Sequence, residues 1–253
     1  MQIHEILDRL ELLDPTNTFF TDLRKAILND DKFALFRLIQ DQNNSQLIEG
    51  LRKYKDDDSF NTDCFSRGQL ESKLWLVKEL SNLKVDLGTV FLCAGWYATL
   101  ATLLFESGMR INKIRSFDID DSCRSIAETF NSPWVKQDWK FKTITQDINE
   151  INFSMHMYNV KRADGSKCEL SDSPDTIINT SCEHIENFSK WYDLIPDGKL
   201  VILQSNNFFE VEEHVNCVGS IEEFAVKAPM DNILYSGELE LPKYKRFMLI
   251  GIK

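Results

Sequence analysis

The spacing of apolar residues changes near residue 84 and divides the chain into two predicted regions. Before this point apolar residues recur every three or four positions, which is the spacing of a helix with one buried face. Pro15 ends the first run, and Ser66 has the polar side chain of a helix N-cap. Helices are predicted over residues 3–13, over 19–40 with a bend near 29–31, from 45, and over 66–83. We expect them to form a helical N-terminal extension, residues 1–83.

After residue 84, short apolar runs alternate with helical stretches. Each run is rich in β-branched and aromatic residues, as strands buried in a parallel sheet are. Strands are predicted over residues 89–93, 114–117, 142–145, 176–180 and 199–204. Helices are predicted over residues 97–107, 121–131, 183–191 and 221–226. This alternation predicts an α/β fold with helices packed on a mostly parallel sheet.

Two turn signals add hairpins to this arrangement. Asp164-Gly165 stands between two runs of mixed polarity, so residues 155–170 are predicted to form an inserted hairpin. Near the end of the chain, Pro242-Lys243 separates two apolar runs. We predict an antiparallel pair of strands there, over residues 233–241 and 244–252.

The stretch from Gly88 to Asp121 has the pattern of a nucleoside-binding unit. A strand leads into a tight turn at Ala94-Gly95, a helix follows and closes at Gly108, and a second strand ends at Asp118. In such βαβ units the turn and the helix N-terminus accept the ligand, and the acid binds the ribose hydroxyls. We therefore expect a nucleoside at this edge of the sheet.

The series of elements from about residue 86 to 253 resembles the class I S-adenosylmethionine-dependent methyltransferases. The first turn reads C-A-G-W-Y and departs from that family's acid-x-G-x-G-x-G, with only Gly95 kept and Cys93 where an acid often stands. The later elements match better, and they read S-F-D-I-D-D-S-C-R-S-I-A, Q-D-I and D-T-I-I-N-T-S-C-E-H-I. The resemblance implies a Rossmann-like domain over residues 84–253. Its mostly parallel sheet would have seven strands, with the last strand antiparallel.

The resemblance also implies S-adenosylmethionine as the cofactor and assigns residues to it. Asp118 would bind the ribose, with Asp120 as its rival, and Asp147 would accept the adenine amino group. The full set of implied cofactor-binding residues is Cys93, Ala94, Gly95, Asp118, Ile119, Asp147 and Ser181.

Catalytic and substrate roles are expected at the same edge. The resemblance places an E-H pair after the fourth core strand, and His184 beside Glu183 is the expected general base. The alternative for this pair is a charged helix start whose histidine packs under the sheet rim. The residues expected to contact substrate are Arg67, Gln69, Tyr97, Asn206 and Phe209, and for Arg67 and Tyr97 an ordinary surface or core role stays open.

Composition narrows the partners. A net charge of -11 argues against a broad nucleic-acid surface, which needs clustered Lys and Arg, and it suits a small or cationic substrate. The six cysteines form no C-x-x-C pair, so we expect reduced thiols in a cytoplasmic protein. The four histidines are widely spaced without H-x-x-x-H, and no metal is expected. We also expect no signal sequence and no membrane span.

These observations predict an enzyme that transfers the methyl group of S-adenosylmethionine to a small molecule, with residues 1–83 as a cover that excludes water. One alternative is attack on the cofactor's aminobutyl chain, or its cyclisation, with release of methylthioadenosine. The other is a non-catalytic Rossmann-like binding module. The sequence identifies neither the acceptor atom nor the oligomeric state.

Overall fold

The computed structural model describes residues 19–29, 46–54, 57, 60–162 and 164–253. The chain divides into two compact units, one within residues 1–56 and one within residues 57–253. The first unit contains two described helices, α1 (Phe19–Leu28) and α2 (Gln46–Tyr54). The helix predicted over residues 3–13 and the part of the 19–40 stretch from residue 30 onwards lie outside the described residues.

The second unit begins with a short 3₁₀ turn (Thr62–Phe65) and helix α3 (Arg67–Leu83). Ser66 caps α3 as predicted, because its hydroxyl accepts a hydrogen bond from the amide of Gln69 at 3.4 Å. Since α3 belongs to the same unit as the sheet, the boundary between compact units lies nearer residue 57 than the predicted residue 83. The covering role of residues 1–83 stays a prediction.

Strands and helices alternate through the rest of the chain. In order they are β1 (Gly88–Cys93), α4 (Thr99–Glu106), β2 (Ile111–Asp118), α5 (Ser122–Phe130), α6 (Ser132–Lys136), β3 (Phe141–Thr145), β4 (His156–Lys161), β5 (Lys167–Asp172), β6 (Thr176–Asn179), α7 (Phe188–Asp193), β7 (Leu200–Asn206), α8 (Ile221–Lys227), β8 (Asn232–Glu240) and β9 (Lys245–Ile252). Two further 3₁₀ turns lie at Ile148–Glu150 and Cys182–His184.

The described strands form a seven-stranded sheet of order β3-β2-β1-β6-β7-β9-β8, and β4 and β5 form the predicted separate hairpin. The neighbours from β3 to β7 pair in parallel, whereas β9 pairs antiparallel with both β7 and β8. Cys93 at the end of β1 stands opposite Phe117 of β2 and Asn179 of β6, so these strands end at one common edge. The predicted α/β sheet with its last strand antiparallel is confirmed.

Two predicted helices have different bounds. The stretch predicted as one helix over residues 183–191 is a 3₁₀ turn followed by α7 from Phe188. The 3₁₀ turn does not continue as a helix, because the carbonyl of Glu183 is already in use. It accepts a hydrogen bond from the backbone amide of Asn216 at 2.8 Å. Helix α4 begins at Thr99 instead of residue 97, because Ala98 has a left-handed backbone with φ of 49°.

Both faces of the sheet are covered by apolar side chains. One cluster surrounds Phe91, Trp191 and Phe247, and the opposite cluster includes Leu76 of α3 and Ile250 of β9. Within the described ranges, no helix combines the length and the apolar character needed to cross a membrane. All six cysteines lie in the described part of the chain as unpaired thiols.

A buried ion pair joins the inserted hairpin to the main sheet. Arg115 of β2 donates through Nε to Oδ2 of Asp172 at the end of β5, over 2.8 Å, and both residues are buried. Asp172 also accepts hydrogen bonds from Lys113 and Tyr158. Burial opposes its charge, but these hydrogen bonds and the guanidinium of Arg115 keep the pKa of Asp172 below its ordinary value.

Replacing Arg115 by Met should lower the free energy of unfolding by about 3–5 kcal/mol, because it leaves a buried carboxylate with less compensation. Urea denaturation at pH 7 measures this loss. The matched control is Arg67→Met, which breaks an exposed pair with Glu71 and should cost less than about 1 kcal/mol. Equal small losses in the two variants would contradict the structural role of Arg115.

Candidate active site

The turn after β1 is built from residues of alternating backbone hand. Ala94, Trp96 and Ala98 have left-handed φ values of 51°, 48° and 49°, and such a conformation costs a non-glycine residue about 1–2 kcal/mol. Alternating backbones of this kind turn neighbouring amides toward a common acceptor. Here the amide of Trp96 donates to Oδ2 of Asp118 at 2.7 Å. The acid at the end of β2 therefore holds the turn in place.

Gly95 and Cys93 contribute to the site through packing. A Cβ at position 95 would come within 2.1 Å of the Ser116 hydroxyl oxygen, so glycine lets the turn lie directly against β2. The Gly95 amide donates to the carbonyl of Phe117 at 3.0 Å. Cys93 is fully buried, and burial raises the pKa of its thiol well above the usual range. Its thiol is thus a packed, neutral group.

A hollow opens beside Asp118 at the ends of β2 and β3. Its lining residues are Trp96, Ser116, Asp118, Asp120, Cys123, Arg124, Thr143, Ile144 and Thr145. Asp118 accepts the amides of Trp96 and Asp120, at 2.7 and 3.1 Å, one on each oxygen. A carboxylate has about four acceptor positions, so Asp118 keeps capacity for further hydroxyl donors.

The other acids of this edge have local structural partners. Asp120 accepts the amide of Ser122 at 2.9 Å, and hydrogen bonds from the hydroxyl and amide of Ser122 hold the pKa of Asp120 below its ordinary value. Asp147 accepts the backbone and side-chain amides of Asn149 through Oδ1, at 2.8 and 2.9 Å, and is not among the residues that line the hollow. Ile119, between Asp118 and Asp120, is 73% exposed.

A second polar cluster lies at the ends of β6, β7 and β9. Glu183 is 2% exposed, and its Oε1 accepts Nδ2 of Asn206 at 2.7 Å and Nη2 of Arg246 at 3.2 Å. Arg246 also donates to the carbonyl of Thr180. The buried atoms of this edge that lack a protein partner are Glu183 Oε2, Arg246 Nε, Asn179 Nδ2, Gln204 Oε1 and Ser205 Oγ. Such atoms are costly unless water or a ligand pairs with them.

Helix α3 adds a buried amine to this cluster. Lys73 is 7% exposed, and its ammonium donates to the side-chain oxygen of Gln69. Burial and, after it, the charge of Arg246 lower the pKa of Lys73 to about 7. Arg246, and Lys73 in its protonated form, offer positive charge to an anionic group, while Glu183 beside Arg246 and Asp63 near Lys73 supply negative charge.

The predicted substrate residues do not converge on one place. Asn206 reaches Glu183, and Gln69 pairs with Lys73. Arg67 instead forms a surface pair with Glu71 at 2.6 Å and is 60% exposed on its side chain. Tyr97 is a buried aromatic that stacks with Phe60 and Trp96, and Phe209 is 65% exposed. Ser181, which was predicted to bind the cofactor, donates its backbone amide to the side-chain oxygen of Asn179.

His184 and His214 meet although they are far apart in the sequence. Their ring centroids are 4.7 Å apart. Nδ1 of His184 lies 3.1 Å from the carbonyl oxygen of Glu213, and Nδ1 of His214 lies 2.9 Å from that of Phe208. A carbonyl only accepts, so both Nδ1 atoms carry a hydrogen, and Nε2 is the nitrogen of each ring that is left to act as an acceptor or a ligand. Linear spacing gave no sign of this pair.

Lys73 should make the free energy of unfolding depend on pH. Its pKa is about 7 in the folded chain and about 10.4 in an unfolded one. Between these values the unfolded state binds a proton that the native state lacks, so stability rises with pH by up to about 1.4 kcal/mol per pH unit. Lys73→Met should remove this contribution and raise stability at pH 7.

Urea denaturation between pH 7 and pH 10 measures the effect as the difference between variant and wild type. Lys78→Met is the matched control, since Lys78 is an exposed lysine on the same helix. It should keep the pH dependence of the wild type. An unchanged slope in Lys73→Met would show that Lys73 is charged in the native state.

Comparison with known proteins establishes the fold. No protein-family model matches the chain, and no curated protein matches it. N-methyltransferase NodS from Bradyrhizobium japonicum WM9, in complex with S-adenosyl-L-homocysteine, is similar with a TM-score of 0.54 at 10% identity, over 82% of this chain and 98% of that one. A putative sarcosine dimethylglycine methyltransferase from Galdieria sulphuraria gives 0.52 at 11% identity, over 83% and 98% of the two chains.

The small RNA methyltransferase HEN1 is similar with a TM-score of 0.51 at 11% identity, over 77% of this chain and 27% of that one. Together with the strand order and the antiparallel last strand, these similarities show which architecture the chain adopts. It has the Rossmann-like fold of class I S-adenosylmethionine-dependent methyltransferases.

Proposed function

We propose that this protein binds S-adenosylmethionine at the carboxyl edge of its sheet and transfers the methyl group to a small molecule. The observation that carries the proposal is Asp118, a carboxylate at the end of β2 that is fixed by the Trp96 amide and lines a hollow. An acid in this position of a nucleoside-binding βαβ unit binds the ribose hydroxyls. The similarity to NodS, which contains S-adenosyl-L-homocysteine, supports the same ligand.

The polar, apolar and charged groups at this edge of the sheet suit both halves of this cofactor. For the adenosine half, Asp118 offers acceptors, Trp96 and Ile119 offer apolar surface, and Oδ2 of Asp147 is a candidate for the adenine amino group. For the amino-acid half, Lys73 and Arg246 offer positive charge to a carboxylate.

The turn after β1 would contribute backbone groups to the cofactor site. Ala94 has a small side chain and Gly95 has none, and both lie half-buried beside the hollow's Trp96, whereas Cys93 is fully buried and has no accessible thiol. Ser181 follows β6 and is half-buried, so its hydroxyl is the group it could offer to the ligand. The cofactor contact implied for Cys93 is thus at most a backbone contact.

Bound S-adenosylmethionine supplies a methyl group already activated by its sulfonium. The chain therefore has to align a lone pair of the acceptor and exclude water. A hydrogen bond from Asn206 and an ion pair with Arg246 hold Glu183 in place, which suits it to orient its neighbours. The free Nε2 lone pair of His184 is the group that would accept a proton from the acceptor.

We base the proposed class of methyl acceptor on the net charge of the protein. With a net charge of -11, the protein favours a small or cationic molecule over a nucleic acid. The fold does not make this choice, because HEN1, whose name describes it as a small RNA methyltransferase, shares it. A small amine or a molecule with a positively charged group is the acceptor class we propose.

A second candidate reaction is favoured by the unusual turn. Trp96 and two alanines occupy positions of strained backbone, so the methionine part of the cofactor meets a different wall from a glycine-rich turn. Attack on the aminobutyl chain, or its cyclisation, would release methylthioadenosine. A non-catalytic binding module would release neither product.

Titration calorimetry with S-adenosylmethionine should show binding, and Asp118→Ala should weaken it by about 1–3 kcal/mol because charged hydrogen bonds to the ribose are lost. Asp164→Ala is the matched control, since Asp164 accepts the amide of Ser166 in the hairpin turn, does not line the hollow, and should leave affinity unchanged. Asp120 lines the hollow and is the rival for the ribose, so a loss of affinity in Asp120→Ala but not in Asp118→Ala would assign the ribose to Asp120. Circular dichroism checks that all three variants are folded. No heat and no thermal shift at millimolar cofactor would leave the binding module as the remaining function.

Product analysis separates the two reactions. We expect S-adenosylhomocysteine to accumulate when the protein is incubated with S-adenosylmethionine and a panel of small amines and alcohols. Chromatography of the nucleoside products measures this directly. Accumulation of methylthioadenosine instead would establish aminobutyl chemistry while leaving the cofactor assignment intact.

A further inference from the structure

We propose that Glu183, His184 and His214 form a binding site for a divalent transition-metal ion. One potential ligand atom from each side chain lies within 4.8 Å of those from the other two. The cluster stands at the end of β6, next to the loop that follows β7. Two imidazole nitrogens and one carboxylate oxygen are a ligand set typical of catalytic zinc and non-haem iron sites.

The two histidines are already oriented as metal ligands are. A ligating histidine nearly always donates its other ring N–H to a carbonyl or carboxylate, which fixes the tautomer and the direction of the ring. His184 donates from Nδ1 to the carbonyl of Glu213, and His214 donates from Nδ1 to that of Phe208. Nε2 is therefore the nitrogen that each ring would offer to a cation.

Glu183 provides the independent observation. Its Oε1 is engaged by Asn206 and Arg246, whereas Oε2 is buried and has no hydrogen-bond partner. The residue is only 2% exposed, so bulk water does not solvate this oxygen. A buried carboxylate oxygen without a partner is costly, and a cation would supply what it lacks.

Backbone contacts hold the cluster together. The Asn216 amide donates to the carbonyl of Glu183 at 2.8 Å, and its side-chain amide donates to the carbonyl of Cys182 at 3.1 Å. These contacts fasten the His214 loop onto the turn that carries Glu183 and His184. The arrangement therefore follows from the fold and not from chance encounters of exposed side chains.

The cation would need modest adjustments of the side chains. Ligand atoms around a tetrahedral zinc ion lie about 3.3 Å apart, from bonds of about 2.0–2.1 Å. His184 is exposed and His214 half-buried, so both rings have room to move. Arg246 next to Glu183 opposes a cation, while the flanking acids Glu212 and Glu213 favour one. Imidazole ligands favour Zn²⁺, Co²⁺ or Fe²⁺ over Mg²⁺ and Ca²⁺.

The role of the metal rests on the proposed transferase function. Three protein ligands leave coordination positions open, and an acceptor hydroxyl bound there would release its proton to solvent water more easily, leaving an oxygen lone pair to take the methyl group. The Nε2 lone pair of His184 would then be engaged by the metal. His184 would serve as a ligand in place of the general base, and within the acceptor class proposed above this selects a positively charged molecule that carries a hydroxyl or another oxygen donor.

The test uses full-length protein without a histidine tag, treated with a chelator and then dialysed against Zn²⁺ or Co²⁺. We expect one equivalent of either metal by elemental analysis, and visible absorption bands for the Co²⁺ form. His184→Gln and His214→Gln should each weaken binding at least tenfold. The matched control is His156→Gln, because His156 bonds Gln146 at the other end of the sheet edge, and it should bind metal like the wild type.

Wild-type protein that binds neither metal, or His214→Gln that binds as tightly as the wild type, would overturn the site. Glu183→Gln is a weaker test, since the buried contact with Arg246 also supports folding. Calorimetry with S-adenosylmethionine on the metal-free and metal-loaded forms keeps the two proposals apart. Metal binding without cofactor binding would refute the transferase and retain the metal site, and the opposite result would do the reverse.

Discussion

Buried charge at one edge of a parallel sheet is the constraint on which the candidate site depends. The strands β1, β2, β3, β6 and β7 all end at this edge, and Glu183 and Arg246 are both buried there. Removing such groups from water costs several kcal/mol per ion, and their contact repays this only when their other hydrogen-bonding atoms are also satisfied. Glu183 Oε2 and Arg246 Nε are not satisfied by protein atoms. The edge is therefore built for a polar occupant.

The two halves of the edge differ in how they are prepared. Around Asp118 the backbone positions the binding group: the Trp96 amide and the left-handed turn hold one carboxylate beside a hollow. Around Glu183 the binding groups are side chains that pair with one another in the interior, and some of their polar atoms have no protein partner. A nucleoside suits the first kind of surface, because it needs a few directed acceptors. Charged and metal-bound groups suit the second, where the surrounding protein raises the strength of each contact.

The sequence predicted the order of the elements because each strand of the sheet carries its own apolar signature and each turn its own polar residues. It predicted that Asp118 ends β2, where the structure has it lining a hollow, and the binding of ribose by Asp118 stays a prediction. The prediction of one helix over residues 183–191 was wrong. The backbone amide of Asn216, which is distant in sequence, donates to the carbonyl of Glu183 that this helix would need. The burial of Lys73, the role of Arg246 and the pairing of His184 with His214 were not predicted, for the same reason. Their significance arises from neighbours that only the folded chain brings close.

Lys73 has a consequence for any measurement of ligand binding. With a pKa of about 7, this buried amine is only partly charged at neutral pH. An anionic group bound beside it stabilises the ammonium form, so the complex takes up a fraction of a proton from solution. The heat observed on titration would then include the ionisation heat of the buffer and change from phosphate to Tris. Protonation of one interior side chain would thus be counted in the apparent enthalpy of the ligand.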